Sequence, residues 1–207
     1  MTRLAVLALA AALAAAPAPA QTLRWAAGTD VATLDPHGNA GGFTLAFLGN
    51  VYEGLVRRAP DLSLEPALAT GWRTVEPRVW RFTLREGVVF QDGSPFSAED
   101  VAFSIARAKG RHAGARGRLA PIAEARVVDP RTVELVTQAP DPILPQALAD
   151  VLIISRAWAE RVGAAEASNP AHDVENAATR SANGTGPFRV ASREAGRLTV
   201  LVRNDAW

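Results

Sequence analysis

The sequence predicts an α/β fold, a mixed sheet with α+β character, and three observations predict it. Period-two segments recur along the chain, as where Trp80, Phe82 and Leu84 alternate with Arg81 and Thr83. Helix-period segments fall between them, the clearest at Val101, Ile105 and Ala108 behind the start signal Ser97-Ala98-Glu99-Asp100. No internal repeat organises the chain, so these elements must assemble into an ordinary globular domain.

The elements follow in order. Residues 22–27 alternate enough for a strand, and residues 29–42, with Pro36 and several Gly and Asn, form a loop. Leu45, Leu48, Val51, Tyr52 and Leu55 keep helical spacing, so residues 44–52 read as a helix that Gly54 ends, with Leu55-Val56 extended. Pro66 suits the first turn of a helix, where its missing N–H does no harm. Strands are expected at 79–84 and 88–90, with a turn at Asp92-Gly93. The helix opened by Ser97 runs to about Lys109, and residues 110–117 form a loop. Strands at 125–128 and 132–136 join through Asp129-Pro130-Arg131. Next come a short helix at 143–149, a buried strand at 152–154, and a helix at 156–162 capped by Ser155. The polar, Ala- and Asn-rich stretch 163–183 reads as a surface excursion, and strands at 188–192 and 198–202 close the chain around Ala195-Gly196.

Composition bounds the function. The chain has 207 residues, 48% hydrophobic and 21% charged, which suits one domain or two small ones and excludes wholesale disorder. A net charge of +1 gives no electrostatic case for a nucleic-acid or polybasic membrane partner. The absence of cysteine excludes disulfides, thiolate metal sites and a cysteine nucleophile. Residues 1–20 carry a charged start at Arg3, an apolar run and Ala-Pro-Ala at 18–20, the pattern of a cleavable signal peptide. That run is shorter than the roughly 20 residues a membrane span needs. The mature chain, residues 21–207, is therefore expected to be exported, to the periplasm, and not to span the membrane. The chain stops at Trp207 directly after its last strand, which reads as a fragment of something longer.

Catalytic signatures are sparse. His37, His112 and His172 lie at no metal-ligand spacing, and there is no nucleophile elbow, Walker loop or dinucleotide fingerprint. Asp35 and His37 have the chemistry to share a metal, but Asp-Pro-His in a loop is more often a turn. No metal and no cofactor is expected. Arg107, Lys109, Arg111, Arg116 and Arg118 read as a solvated loop after a helix. A secreted hydrolase with a dispersed triad remains the alternative, and replacing all three histidines should leave a non-catalytic protein's function intact.

An ordered set of short motifs is more specific than any one of them. It runs Leu34-Asp35-Pro36, Val51-Tyr52-Glu53-Gly54-Leu55, Leu64-Glu65-Pro66-Ala67-Leu68-Ala69, then Gly71-Trp72, Trp80-Arg81-Phe82, Gly87-Val88-Val89-Phe90-Gln91-Asp92-Gly93, Asn183-Gly184-Thr185-Gly186-Pro187-Phe188 and Arg203-Asn204-Asp205. In this order and spacing the chain resembles family 5 of the solute-binding proteins of ABC transporters, the periplasmic peptide-, oligopeptide- and nickel-binding receptors. It departs from the family at Gln91, where histidine is common, and in its length, which is much shorter.

The resemblance implies the first lobe, with an inserted subdomain, of a two-lobed periplasmic binding protein of type II-like architecture, here incomplete. It implies capture of a peptide or related small solute between lobes and delivery to ABC permease subunits in the inner membrane, by a monomer without enzymatic activity. In the family the loop after Leu-Asp-Pro lines the cleft, which carried over places Asn39, Ala40, Gly41, Gly42 and Phe43 at the ligand. The loop 110–118 is a second candidate for the cleft rim. Gly184 and Gly186 allow positive φ before Pro187 fixes the chain entering a strand.

Overall fold

The computed structural model describes residues 22–207. The export segment expected at 1–20 lies outside the described residues. Helix α1 (Gly42–Leu48) leads into a two-stranded ribbon, β1 (Val56–Arg58) with β2 (Leu64–Pro66). A four-stranded antiparallel sheet follows, built from β3 (Ala69–Glu76), β4 (Val79–Leu84), β5 (Ile122–Asp129) and β6 (Thr132–Thr137) in the order β3-β4-β6-β5. Helix α2 (Ala98–Ala108) is inserted between β4 and β5. Short helices α3 (Leu144–Leu148) and α4 (Arg156–Arg161), two single 3-10 turns and the hairpin β7 (Phe188–Glu194) with β8 (Leu198–Arg203) complete the fold.

The sheet forms where alternation is strict. On β4 the buried Phe82 and Leu84 face the core with the half-buried Trp80, while Thr83 on the opposite face stays exposed. Phe82 pairs with Val133 and Trp72, and this apolar side packs on Val101, Ile105 and Ala108 of α2. The opposite side carries a row of aligned charges, Arg73, Arg81, Glu134 and Arg126, one from each strand. Glu134 is buried between two of them, taking Nε and Nη2 of Arg81 at 2.9 and 2.5 Å and Nη1 of Arg126 at 3.4 Å. A slip of one residue would put these charges into the core, so the row fixes register. At the start of α2, Asp100 reaches back to the Ser97 N–H at 2.9 Å, completing the expected capping box, a device that contributes about 1 kcal/mol.

A second core gathers Val31, Leu34, Phe47, Leu48, Val51, Tyr52, Leu152, Ile154 and Trp158. Helix α2 lies between the two cores. Its apolar face serves the first, while Asp100, Ser104 and Arg107 form a polar stripe at i, i+4 and i+7, all three buried. Asp100 accepts from the Arg156 N–H at 2.9 Å, Ser104 exchanges hydrogen bonds with the Ile154 backbone at 3.1 and 3.3 Å, and Arg107 reaches beyond them. The stripe stitches α2 to the segment that runs from Leu152 toward Ser168.

Several expectations differ from the structure. Residues 22–27 are irregular and exposed, because their backbone groups have no neighbouring strand among the described residues. The first helix ends at Leu48, with Gly49 as its C-cap, rather than continuing to Tyr52. Pro66 lies at the end of β2 opposite Val56, an exposed edge position where its missing N–H is equally harmless. Strand β3 carries no clean alternation because it has two register shifts, so its pattern escapes a period-two reading. Residues 88–90 and 152–154 are extended but make only single bridges, Val89 with Pro95 and Leu152 with Gly54.

The stretch 163–183 is no mere surface excursion. Ala164, Ala167, Ser168, Ala178, Thr179 and Asn183 are buried. Small side chains let this irregular backbone pack closely, and its polar groups are satisfied by tertiary partners instead of a ladder. Gly184 and Gly186 do not sit at positive φ, which the glycines Gly87, Gly93, Gly163 and Gly196 adopt. Their role is close approach: a Cβ at Gly184 would lie 2.1 Å from the Val51 carbonyl oxygen, and one at Gly186 would lie 2.6 Å from the Val51 carbonyl carbon.

Candidate functional site

The site begins with a loop that cannot be regular. Pro36 removes a donor, and the side chains of Thr33, Asp35 and Asn39 each bond a nearby backbone N–H. Thr33 Oγ1 accepts from Asp35 N at 3.0 Å, Asp35 Oδ1 from His37 N at 2.9 Å, and Asn39 Oδ1 from Gly41 N at 2.6 Å. The chain then enters α1, whose N-cap Gly41 offers no side chain.

The base of this loop is a buried ionic cluster. Both side chains of the pair Arg107–Asp35 are 0% exposed, and the two bonds of the fork are each 2.6 Å. The guanidinium also donates from Nε to the Ala164 carbonyl at 2.9 Å, from Nη2 to the Glu166 carbonyl at 2.9 Å, and from Nη1 to Nδ1 of His37 at 3.0 Å. All five N–H donors of Arg107 are thereby used. Asp35 takes a further bond from the Ser168 N–H at 2.7 Å. Because arginine is only a donor, Nδ1 of His37 must accept, so Nε2 carries the proton and donates to the Leu152 carbonyl at 2.8 Å.

The charges follow from this geometry. Burial by itself would raise the Asp35 pKa, but the Arg107 bonds and charge, His37 and the Ser168 N–H outweigh it and hold the carboxyl below its ordinary value. Burial and then the Arg107 charge push His37 down to about 4, so the ring is neutral. Burial, with the Asp35 charge beside it, pushes the Tyr52 phenol up, and its hydroxyl donates to the Leu34 carbonyl at 3.1 Å. Asp35 and His37 are thus engaged by Arg107, which leaves neither free to ligate a metal.

A stability consequence follows with a definite sign. His37 titrates at about 4 in the fold against 6.5 ordinarily, so between those values the unfolded chain binds more protons. The His37 contribution is whole above pH 6.5, declines as pH falls toward 4, and changes no further below that. The full span is about 3 kcal/mol. Urea unfolding of wild type and His37→Gln across this window checks it: wild type should lose stability on acidification and the variant should lose much less. Equal slopes would show that the ring is not held neutral. His37 thus has a structural part in the fold, whereas His172 is exposed.

The structure brings the two candidate loops together. The Gly114 N–H donates to the His37 carbonyl at 2.9 Å, and a Cβ at Gly114 would lie 2.8 Å from the Ala40 backbone nitrogen. Asn39 and Ala40 are half-buried at this contact, Gly41 and Gly42 are exposed, and Phe43 meets the Trp25 ring edge-on at 6.3 Å. A Cβ on Gly42 would meet nothing within 4 Å, so that face is open. Of the basic run, Arg107 is not solvated at all, Lys109 bonds the Ile122 carbonyl, and Arg118 faces Asp150 at 3.5 Å. An open cleft of about 480 Å³ lies elsewhere, between α4 and the terminal hairpin, lined by Asp92, Trp158, Arg161, Asn183, Arg189 and Val202. Asp92 and Arg161 pair with each other there at 3.0 Å, and none of the candidate loop residues reaches it.

Sequence reading missed Arg107, Ser168 and Asn169. The polar stripe of α2 is the signal that could have found Arg107, since an arginine in register with Ser104 on a helix flanked by core needs a buried acceptor. Ser168 and Asn169 carry no comparable pattern.

The motifs that defined the resemblance also converge. The Gln91 side chain donates to the carbonyls of Val51 and Phe188 at 3.2 and 2.8 Å, and its N–H to the Gly184 carbonyl at 3.0 Å. Asn183 Oδ1 accepts from Asp92 N at 3.1 Å, and Asn204 Nδ2 donates to the Gly186 carbonyl at 2.9 Å. These side chains tie distant backbone segments together, so they specify the fold.

Comparison with known proteins agrees. The glutathione-binding protein GsiB of Salmonella typhi is 34% identical over 141 residues, 66% of this chain and 28% of that protein. The periplasmic murein peptide-binding protein MppA of Escherichia coli K12 is 34% identical over 76 residues, 37% of this chain and 14% of that protein. Among solved structures, MoaA with mannopinic acid from A. tumefaciens R10 superposes with a TM-score of 0.72 at 29% identity, over 86% of this chain and 36% of that one. NikZ from Campylobacter jejuni, with Ni(L-His), shares the fold at a TM-score of 0.74 and 23% identity, over 86% of this chain and 34% of that one. The matches thus span from 14% to 36% of the length of these proteins. Residues 63–207 match the family described as bacterial extracellular solute-binding proteins, family 5 Middle, and the chain belongs to that family.

Proposed function

We propose that this chain forms part of the substrate-binding component of an ABC importer, one that captures a peptide or related small solute in the periplasm and hands it to a membrane permease. Family membership carries the reading. The relatives' names, which include glutathione, murein peptide and oligopeptide binding, support a small peptide-like solute. Asn39, Ala40, Gly41, Gly42 and Phe43, backed by the loop 110–118, form the solute-facing wall. In this reading the exposed Gly41-Gly42 backbone lets a solute main chain approach closely. The protein works as a monomer, without catalysis, after export by the segment 1–20. No helix among the described residues is long and apolar enough to cross a membrane.

Calorimetry of the full-length gene product against glutathione, di- to pentapeptides and a nickel chelate tests this. Saturable binding to one of them, with the solute recovered unchanged, is the expected result. No heat with any of them would overturn the peptide-like reading, and turnover of any would overturn the receptor reading.

A further inference from the structure

Arg107 braces, through its fork to Asp35, a ring of hydrogen bonds that closes on Asp35. From Asp35 the ring runs along the loop to the His37 carbonyl and across to the Gly114 N–H at 2.9 Å, while Arg107 holds Asp35 and Nδ1 of His37 from the side. It continues through the loop to the His112 carbonyl, which accepts from Asn169 Nδ2 at 2.8 Å. From Asn169 it returns through the Ser168 N–H to Asp35 at 2.7 Å. Thr33 Oγ1 and Ser168 Oγ, 3.1 Å apart, tie the same segments a second time.

We infer that Arg107 is a positioning residue for solute capture: without reaching the solute, it locks the loop bearing Asn39–Phe43, the loop 110–118 and the segment around Ser168 into one wall of fixed shape. The inference rests on the solute-binding reading above and deepens it. A fully paired buried ion pair adds little net stability over an apolar filling. What it adds is direction, because a planar fork with five fixed donors accepts only one arrangement of three chain segments. Lysine supplies the charge but not the fork, so it cannot hold Asp35, His37, Ala164 and Glu166 together. The open outer face and the tied inner face of the Asn39–Phe43 loop suit such a wall: Gly42 is unobstructed while Ala40 abuts Gly114.

The test uses the full chain with Arg107→Lys and Asn169→Ala. The second cuts, at a half-buried position, the ring that Arg107 braces, so it tests the fixed shape of the wall if the first fails to fold. Amide hydrogen exchange is read at Gly114, in the ring, and at Val133 and Leu135 of β6, outside it. The expected result is exchange at Gly114 faster by about tenfold or more in each folded variant, with the β6 amides unchanged. Glutathione is the solute probe, and its affinity should fall in Asn169→Ala while the urea midpoint holds. Gly114 exchange that moves no more than that of β6 would overturn the inference. So would unchanged glutathione affinity in a variant whose loops have loosened. If the wild-type chain binds no glutathione, the choice of solute fails and the exchange rates alone decide the role of Arg107.

Discussion

Replacing Arg107 with methionine should lower the stability of the chain by about 3–5 kcal/mol, because it leaves the Asp35 carboxylate buried without a counter-charge. The loss reads directly as a shift of the urea midpoint at pH 7. Adding Asp35→Asn to that variant should restore part of the loss, since the stranded charge is then gone although several hydrogen-bonding groups remain unpaired. The cycle isolates the coupling between two side chains that are both 0% exposed. A loss under about 1 kcal/mol for Arg107→Met would mean that water reaches Asp35 and that the cluster is not closed. Acidification has the same sign at both sites. Asp35 is held below its ordinary value, so its contribution disappears only as pH falls through that lowered value, after the His37 contribution has gone.

Gly184→Ala should be the most damaging single-methyl change in the chain, with a loss of about 3 kcal/mol or more. Its Cβ would stand 2.1 Å from the Val51 carbonyl oxygen, 2.7 Å from Cδ1 of Tyr52 and 2.9 Å from the Val51 carbonyl carbon. Two of these are backbone atoms in a buried segment, and the third belongs to a fully buried ring, so none can retreat cheaply. The contact also braces Gly186, whose N–H donates to the Val51 carbonyl at 2.9 Å. Gly42→Ala is the matched control for stability, because nothing stands within 4 Å of its Cβ and alanine favours a helix start. Thermal melts of the two variants should therefore separate clearly. Equal melting temperatures would show that the segment 183–187 can move away from Val51.

Local chemistry explains which parts of this protein could be read in advance. The hairpin β5–β6, the strand β4 and the capped helix α2 each satisfy most of their backbone bonds within a few residues or with a near neighbour in sequence. Their periodicity and caps were accordingly visible. The expected family also emerged from residues, although the Gly114–His37 bond that joins the loop 110–118 to the Asn39–Phe43 loop did not. Strand β3 escaped because its register shifts break alternation, and residues 22–27 misled because alternation without a partner strand is not a strand.

The stretch 163–183 shows the limit most plainly. Its composition is that of a surface loop, yet Ser168 and Ala164 offer backbone groups to Asp35 and Arg107, partners more than 50 residues away in sequence. Nothing local encodes such a contact, since the energy of a buried charge depends on what surrounds it in three dimensions. The sequence by itself determined the family scaffold, because caps and turns are local demands on backbone. Only the tertiary structure decided that Asp35, His37 and Arg107 form one neutralised cluster behind the candidate loop, because desolvation makes each of them costly alone and tolerable only together.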